Sequence, residues 1–273
     1  DENGTTYIYI IDTQMSEAQV DLHNQNKHNI TYYKENPSVV GFGIGSNFDE
    51  AIVSCYNNLI KRTKNYEANL KRVKADFQFI SSSENNAWLL NIRGSDSKYT
   101  PIPYSYILLD KKKRINFFCD LKKISNSFRE KFKKIKFVHI DNTSTILSNI
   151  NKKKFLIDKN TCSIYYENII LKNNNILNQK DPIYALKALK TKNEIENIKK
   201  AHLYDGVALT KYLFWLKNNF LKKKVTEISA EKKLFYFRKQ NKNFNFLSFP
   251  TISGTGPNGA IIHYKANKKS NLR

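Results

Sequence analysis

The chain has 273 residues, 40% of them hydrophobic and 13% aromatic, enough apolar material for two ordinary domains without disulfide or metal staples. Its formal net charge of +22 invites a polyanion partner, yet the basic runs at 111–114, 152–154 and 222–224 are short and lack aromatics interleaved along one groove. Dispersed surface charge in a composition rich in Lys, Asn and Ile accounts for them, so specific nucleic-acid binding is set aside, as is membrane insertion: no apolar run approaches the roughly 20 residues that cross a bilayer.

Taken in chain order, the N-terminal DENGTTYIYIIDTQ is acidic where a secretory signal is basic, and TYIYII is strand-like. Polar DLHNQNKHN follows, and its His23 and His28 lack acidic or Cys neighbours, which makes a solvated loop of them rather than a metal site. Next, SVVGFGIGS leads into NFDEAIVSCYNNLIKR, a strand, turn and helix pattern. Gly41, Gly43 and Gly45 resemble a dinucleotide turn, but the third fingerprint glycine falls at Ser46, so a flexible connector is expected.

From about residue 46 a basic amphipathic stretch, Leu59 to Lys74, precedes the strand DFQFIS, and AWLLNI is strand-sized. It ends at a turn in which Arg93 and Asp96 are expected to pair as ions. YSYILL and INFF flank Asp110 to Arg114 and predict a hairpin with that basic run at its exposed tip. A helix over SNSFREKFKK, the strand KFVHI, the strand-like FLIDK and a polar linker near NNNILNQKDP complete an α/β domain with a mixed sheet. Cys55, Cys119 and Cys162 are scattered and odd in number, which fits packed, reduced thiols in a cytoplasmic setting, with a vacuolar compartment as the alternative.

A new domain is expected near residue 185. Thr191 and Glu194 have the spacing of a capping box, and Ile195, Ile198, Ala201, Leu209, Leu213 and Leu216 recur at helical steps as a stripe to be buried, with His202 packed beside it. A second helix starts after Thr226 and runs through EKKLFYFRKQ, and FLSFPTIS is extended.

Then comes PTISGTGPNGAIIHY, where Gly254, Gly256 and Gly259 spell the spacing of a pyrophosphate loop. Such a loop needs a helix after it to supply amides and a dipole, but here β-branched AIIHY follows, and Pro257 removes one amide. A turn between two strands is the better reading. It sets Ile261 and His263 on one sheet face and Ala260 and Ile262 on the other.

The segment SFPTISGTGPNGAIIHY resembles the metallopeptidase part of aminopeptidase P (Xaa-Pro aminopeptidase), of the pita-bread family. KTKNEIENIKKAHLYDGVALTKYLFWL and VTEISAEKKLFYFRKQ resemble that family's first two catalytic-domain helices, and NNAWLLNIRGSD with PYSY the middle domain of its long, three-domain cytosolic members. The resemblance implies a creatinase-like mixed-sheet domain over 46–184, the opening helices and strands of a pita-bread domain over 185–273, and in 1–45 a remnant of a first domain or a linker. It implies removal of the N-terminal residue from peptides with proline second, by a hydroxide bridging two divalent metals, commonly manganese. The role of the IIHY histidine, touching substrate near the scissile bond, falls on His263. The family's metal ligands, two Asp, one His and two Glu, are not found in this sequence and are expected downstream of Arg273, in a C-terminal remainder of the same protein. A homodimer is implied as well. A non-catalytic pita-bread protein that binds peptides or histones is the alternative, and intact PNGAIIHY speaks against it.

Overall fold

The computed structural model describes residues 7–10, 39–45, 73–112, 114–132, 135–221 and 225–272. The amphipathic stretch before Val73, the helix expected over NFDEAIVSCYNNLIKR, Cys55, His23, His28 and the 222–224 lysine run lie outside those residues. Two compact units divide between Ala188 and Leu189.

The first unit is built on a six-stranded mixed sheet of β3 (Phe77–Ile80), β5 (Tyr106–Asp110), β6 (Ile115–Cys119), β7 (Ile135–His139), β8 (Lys154–Ile157) and β9 (Asn175–Asn178). Their order across the sheet is β7-β6-β5-β3-β8-β9. Strand β3 pairs antiparallel with β5 and parallel with β8, and β7 and β9 add parallel edges. A three-stranded sheet joins β1 (Tyr7–Ile10), β2 (Val39–Gly45) and β4 (Ile92–Gly94). The glycines 41, 43 and 45 therefore lie in a strand, not in the flexible connector expected of them: β1 and β4 occupy its two edges and satisfy its backbone.

Both faces of the larger sheet are buried, and the near-continuous apolar runs of its strands follow from that. Alternation sends Ile80, Ile107, Leu109, Phe117 and Leu156 into one core cluster, and Phe79, Leu108, Phe118, Phe155 and Ile157 into the other. Short helices cover the faces: α1 (Ser83–Leu90), α2 (Asn126–Lys131), α3 (Thr143–Ser148), α4 (Ile164–Leu171) and α5 (Ile183–Ala188). Ser125 and Ser163 cap α2 and α4 by accepting from the Phe128 and Tyr166 amides at 3.2 and 3.4 Å. The hairpin tip is tied by Asp110, which accepts from the Lys112 and Arg114 amides at 2.8 and 2.9 Å and from Arg114 Nε at 2.6 Å.

Three expectations change here. AWLL closes α1 instead of forming a strand, because Asn91 takes the left-handed conformation (φ 54°) that ends the helix, and only Ile92–Gly94 is extended. NILN is edge strand β9, held by β8 on one side, rather than linker. At the turn after β4, Asp96 receives Lys123 Nζ at 2.6 Å and the Tyr104 amide at 2.6 Å, while Arg93 donates to the Ile92 carbonyl at 2.8 Å.

The second unit holds α6 (Lys192–Asn219) and α7 (Glu227–Lys239). The Thr191 capping box forms as the spacing predicts: Thr191 Oγ1 accepts from the Glu194 amide at 3.2 Å, and the Glu194 carboxylate accepts from the Thr191 amide at 2.7 Å. The apolar stripe is not buried; Ile195, Ile198, Leu209 and Leu213 are exposed, and so is His202, which was expected to be packed. Periodicity states which side chains share a face, but burial requires a layer over that face. On α6 only Ala208 is buried, on the side where Arg238 of α7 grips Asp205 through Nε and Nη2 at 2.6 and 3.1 Å.

Candidate functional site

The site predicted from sequence is the segment around His263. Residues 244–255 form no regular secondary structure, with a bend at Ser248 and Phe249, and Gly256–Ala260 is a short 3-10 turn. AIIHY is a continuation of that turn and not the expected strand, so His263 is not strand-borne. A strand persists only where a neighbour takes its backbone groups. Here those groups close on themselves: the amides of Asn258, Ile261 and Tyr264 donate to the carbonyls of Thr255, Asn258 and Ile261, each at 3.2 Å. Three consecutive tight turns thus run from Thr255 to Tyr264.

The glycines serve this path and not a phosphate. Gly256 has φ +57°, a left-handed state open to glycine at little cost. A side chain at Gly254 would stand 3.0 Å from the Asn258 carbonyl oxygen, inside ordinary contact distance. His263 itself has φ 55°, and its side chain is exposed rather than sunk in hydrocarbon. Its neighbours Ile261 and Ile262 are exposed as well, the latter by 86%.

What holds the run is a carboxylate that sequence reasoning did not single out. Glu227, first residue of α7, is 2% exposed. Its Oε1 accepts from the Thr255 amide at 2.7 Å and from Asn258 Nδ2 at 3.1 Å, and its Oε2 accepts from the Tyr264 hydroxyl at 2.7 Å and the Leu272 amide at 3.1 Å. Asn258 Nδ2 also reaches the Ser270 carbonyl at 2.8 Å and the Tyr264 oxygen at 2.9 Å. Tyr264 has one hydroxyl proton, and with its shortest contact going to Glu227 its oxygen is left to accept from Asn258. The α7 N-terminus is tied down as well: the Glu227 amide donates to the Leu272 carbonyl at 3.1 Å and the Ile228 amide to Asn271 Oδ1 at 3.0 Å.

Burial pushes the Glu227 carboxyl up, but donation from Tyr264, Asn258, Leu272 and Thr255 outweighs it and holds the group at about 2. Burial raises the Tyr264 hydroxyl, which keeps that phenol a donor. Nothing in the sequence pattern marked Glu227, because an acidic residue in the first turn of a helix is ordinarily a solvated complement to the dipole. The available signal was local: Thr226 and Ser229 form a reciprocal cap, which places Glu227 beside whatever packs on that helix end.

Among the described residues no group of three or more His, Cys, Asp or Glu side chains could hold a metal ion. Cys119 and Cys162 are buried free thiols, raised by that burial to about 12 and about 11, and they are not poised as nucleophiles.

Comparison with known proteins gives this geometry its context. The Creatinase/Prolidase N-terminal domain matches residues 57–194, and Metallopeptidase family M24 matches residues 196–273, the histidine segment included. The chain belongs to the creatinase/prolidase family, whose N-terminal domain spans half of it, and its C-terminal part is similar to the M24 metallopeptidases. Xaa-Pro aminopeptidase 1 of Dictyostelium discoideum is 34% identical over 215 residues, covering 76% of this chain and 34% of that protein. Xaa-Pro aminopeptidase ApepP of Drosophila melanogaster is 32% identical over 213 residues, covering 75% and 34%. The chain thus spans about a third of the length of these curated relatives. X-prolyl aminopeptidase from Caenorhabditis elegans, described as a cytosolic enzyme with a di-nuclear active site, superposes with a TM-score of 0.74 at 25% identity, over 96% of this chain and 46% of that one. The mixed sheet of the first unit is the creatinase-like architecture of that family. No described helix is long and apolar enough to cross a membrane.

Proposed function

We propose that this chain is the substrate-side portion of a cytosolic Xaa-Pro aminopeptidase of the M24 type, which removes the N-terminal residue from peptides with proline second. The observation that carries the reading is an exposed His263 on a backbone run held at both ends by one buried carboxylate, within the segment that matches the M24 family. A side chain free toward solvent on a braced backbone is arranged to meet a ligand. The imidazole there donates a hydrogen bond to charge developing on the scissile carbonyl oxygen or the leaving nitrogen. Exposed Ile261 and Ile262, which directly precede His263 in sequence, supply apolar surface suited to a proline ring.

In this reading residues 46–184 are the middle, creatinase-like domain, residues 185–273 open the catalytic domain, and 1–45 belong to a preceding domain or linker. Two divalent metals, manganese by preference, would supply Lewis-acid chemistry for hydrolysis when bound by ligands outside the described residues. No group of three or more His, Cys, Asp or Glu among the described residues fits them, and no metal step is assigned to those residues. The functional enzyme is a homodimer in the same reading.

The test uses the full-length protein that contains this chain, with manganese and an Xaa-Pro peptide. His263→Ala lowers kcat about 10²-fold, the size of effect that follows loss of one acid–base or oxyanion donor. An unchanged rate rejects the role of His263, and a full-length protein that binds such peptides without cleaving them rejects the peptidase.

A further inference from the structure

We propose that Glu227 is the positioning residue of this site: its carboxylate fixes the path of residues 255–264 and through them the place of the His263 imidazole. The inference rests on the reading of His263 given above.

The geometry is a clamp. Oε1 holds the Thr255 amide, where the run of turns begins, and Oε2 holds the Tyr264 hydroxyl, where it ends. Between them, the Asn258 side chain lies within 3.1 and 3.3 Å of the two oxygens. His263 directly precedes the residue gripped by Oε2, and its positive φ is a backbone state that L-residues leave readily when nothing enforces it. Releasing Tyr264 lets His263 return to an ordinary conformation, which re-aims the imidazole.

The chemistry explains why a carboxylate stands there. Every group facing Glu227 across this node is a donor: two backbone amides, one carboxamide and one phenol. Only an ionised carboxylate offers acceptors on both of its atoms. Glutamine keeps one acceptor and turns a two-hydrogen donor toward other donors. These bonds are charge-assisted, and therefore stiffer than neutral ones.

The experiment compares Glu227→Gln, His263→Ala and the double variant in the full-length protein, with hydrogen exchange of the backbone amides as a second readout. Glu227→Gln is expected to lower kcat between about 10- and 100-fold, the cost of misplacing a reacting group by about an ångström, while KM moves by less than about twofold. In the double variant the loss stays within about twofold of that in His263→Ala alone, because Glu227 acts through that histidine. The Thr255 and Leu272 amides exchange at least about tenfold faster in Glu227→Gln, while amides in the middle of α7 do not change. Tyr264→Phe opens only one end of the clamp and gives a smaller kcat loss of the same kind, should Glu227→Gln fold poorly. Losses that multiply in the double variant, or unaltered exchange at Thr255 and Leu272, overturn the proposal. If His263→Ala itself leaves kcat unchanged, the functional reading fails separately, and exchange alone decides whether the clamp exists.

Discussion

In the sheet-bearing unit, Phe79, Phe117, Phe118 and Phe155 are each no more than 1% exposed, whereas along α6 Leu213 and Phe214 are 54% and 72% exposed. The first unit is ordered by many interchangeable apolar contacts on two sheet faces. Residues 254–272 are ordered instead by a few polar groups converging on one carboxylate. A distributed core tolerates the loss of any one polar contact, and a polar node does not. The two regions are therefore sensitive to different insults, and the contrast can be pressed.

The largest effect is expected in the distributed core. Phe155→Ala, on β8 and fully buried, destabilises the first unit by about 3–5 kcal/mol, read from the denaturant midpoint followed in that unit. A shift below about 1 kcal/mol contradicts the packing described. Exposed Phe214→Ala on α6 stays within about 0.5 kcal/mol.

Acid distinguishes the regions next. Glu227 titrates at about 2 against an ordinary 4.5, so its stabilisation is complete above the unfolded value and is lost as pH falls from about 4.5 toward 2. Asp181 in the first unit has the opposite sign. Burial raises it, although it accepts from Asn85 Nδ2 at 2.7 Å and the Ile183 amide at 3.0 Å, so the folded unit holds that proton more tightly and this group favours folding below its unfolded value, an advantage lost as pH rises through the folded one. On acidification the NMR signals of Asn85 and Gln78 should move before those of Asn258 and Tyr264, because the raised Asp181 carboxyl takes its proton at higher pH than the lowered Glu227 carboxyl. The reverse order breaks the comparison.

Thiol labelling in mildly alkaline buffer supplies a third check. Cys119 and Cys162, raised by burial to about 12 and about 11, should react only at the rate at which the first unit opens. The smallest effect is expected of Lys111→Ala, which removes a 2.7 Å ion pair with Asp76 that is more than half exposed on the lysine side, and should cost less than about 1 kcal/mol.

What was legible in the sequence follows the same division between local and distant causes. The Thr191 capping box and the hairpin tip at Asp110 to Arg114 are set by neighbours a few residues away, and the strands FQFI and INFFC are marked by their own short apolar runs, so all appear where the sequence put them. Strand β9 was hidden because NILN is a polar edge segment made extended only by β8. β-branched AIIHY read as a strand, but no strand among the described residues of the second unit takes its backbone, and the turns closed instead. His263 was found by resemblance. Glu227 stayed invisible because its 28-residue separation from Thr255 and 37-residue separation from Tyr264 leave no periodic trace.

The left-handed backbone at His263 has a practical consequence for anyone who exchanges that side chain. Asparagine enters this region of conformational space with comparable ease, while a β-branched residue such as valine resists it. His263→Asn therefore removes the imidazole and spares the bend. A valine would disturb ring and bend together and leave their contributions inseparable.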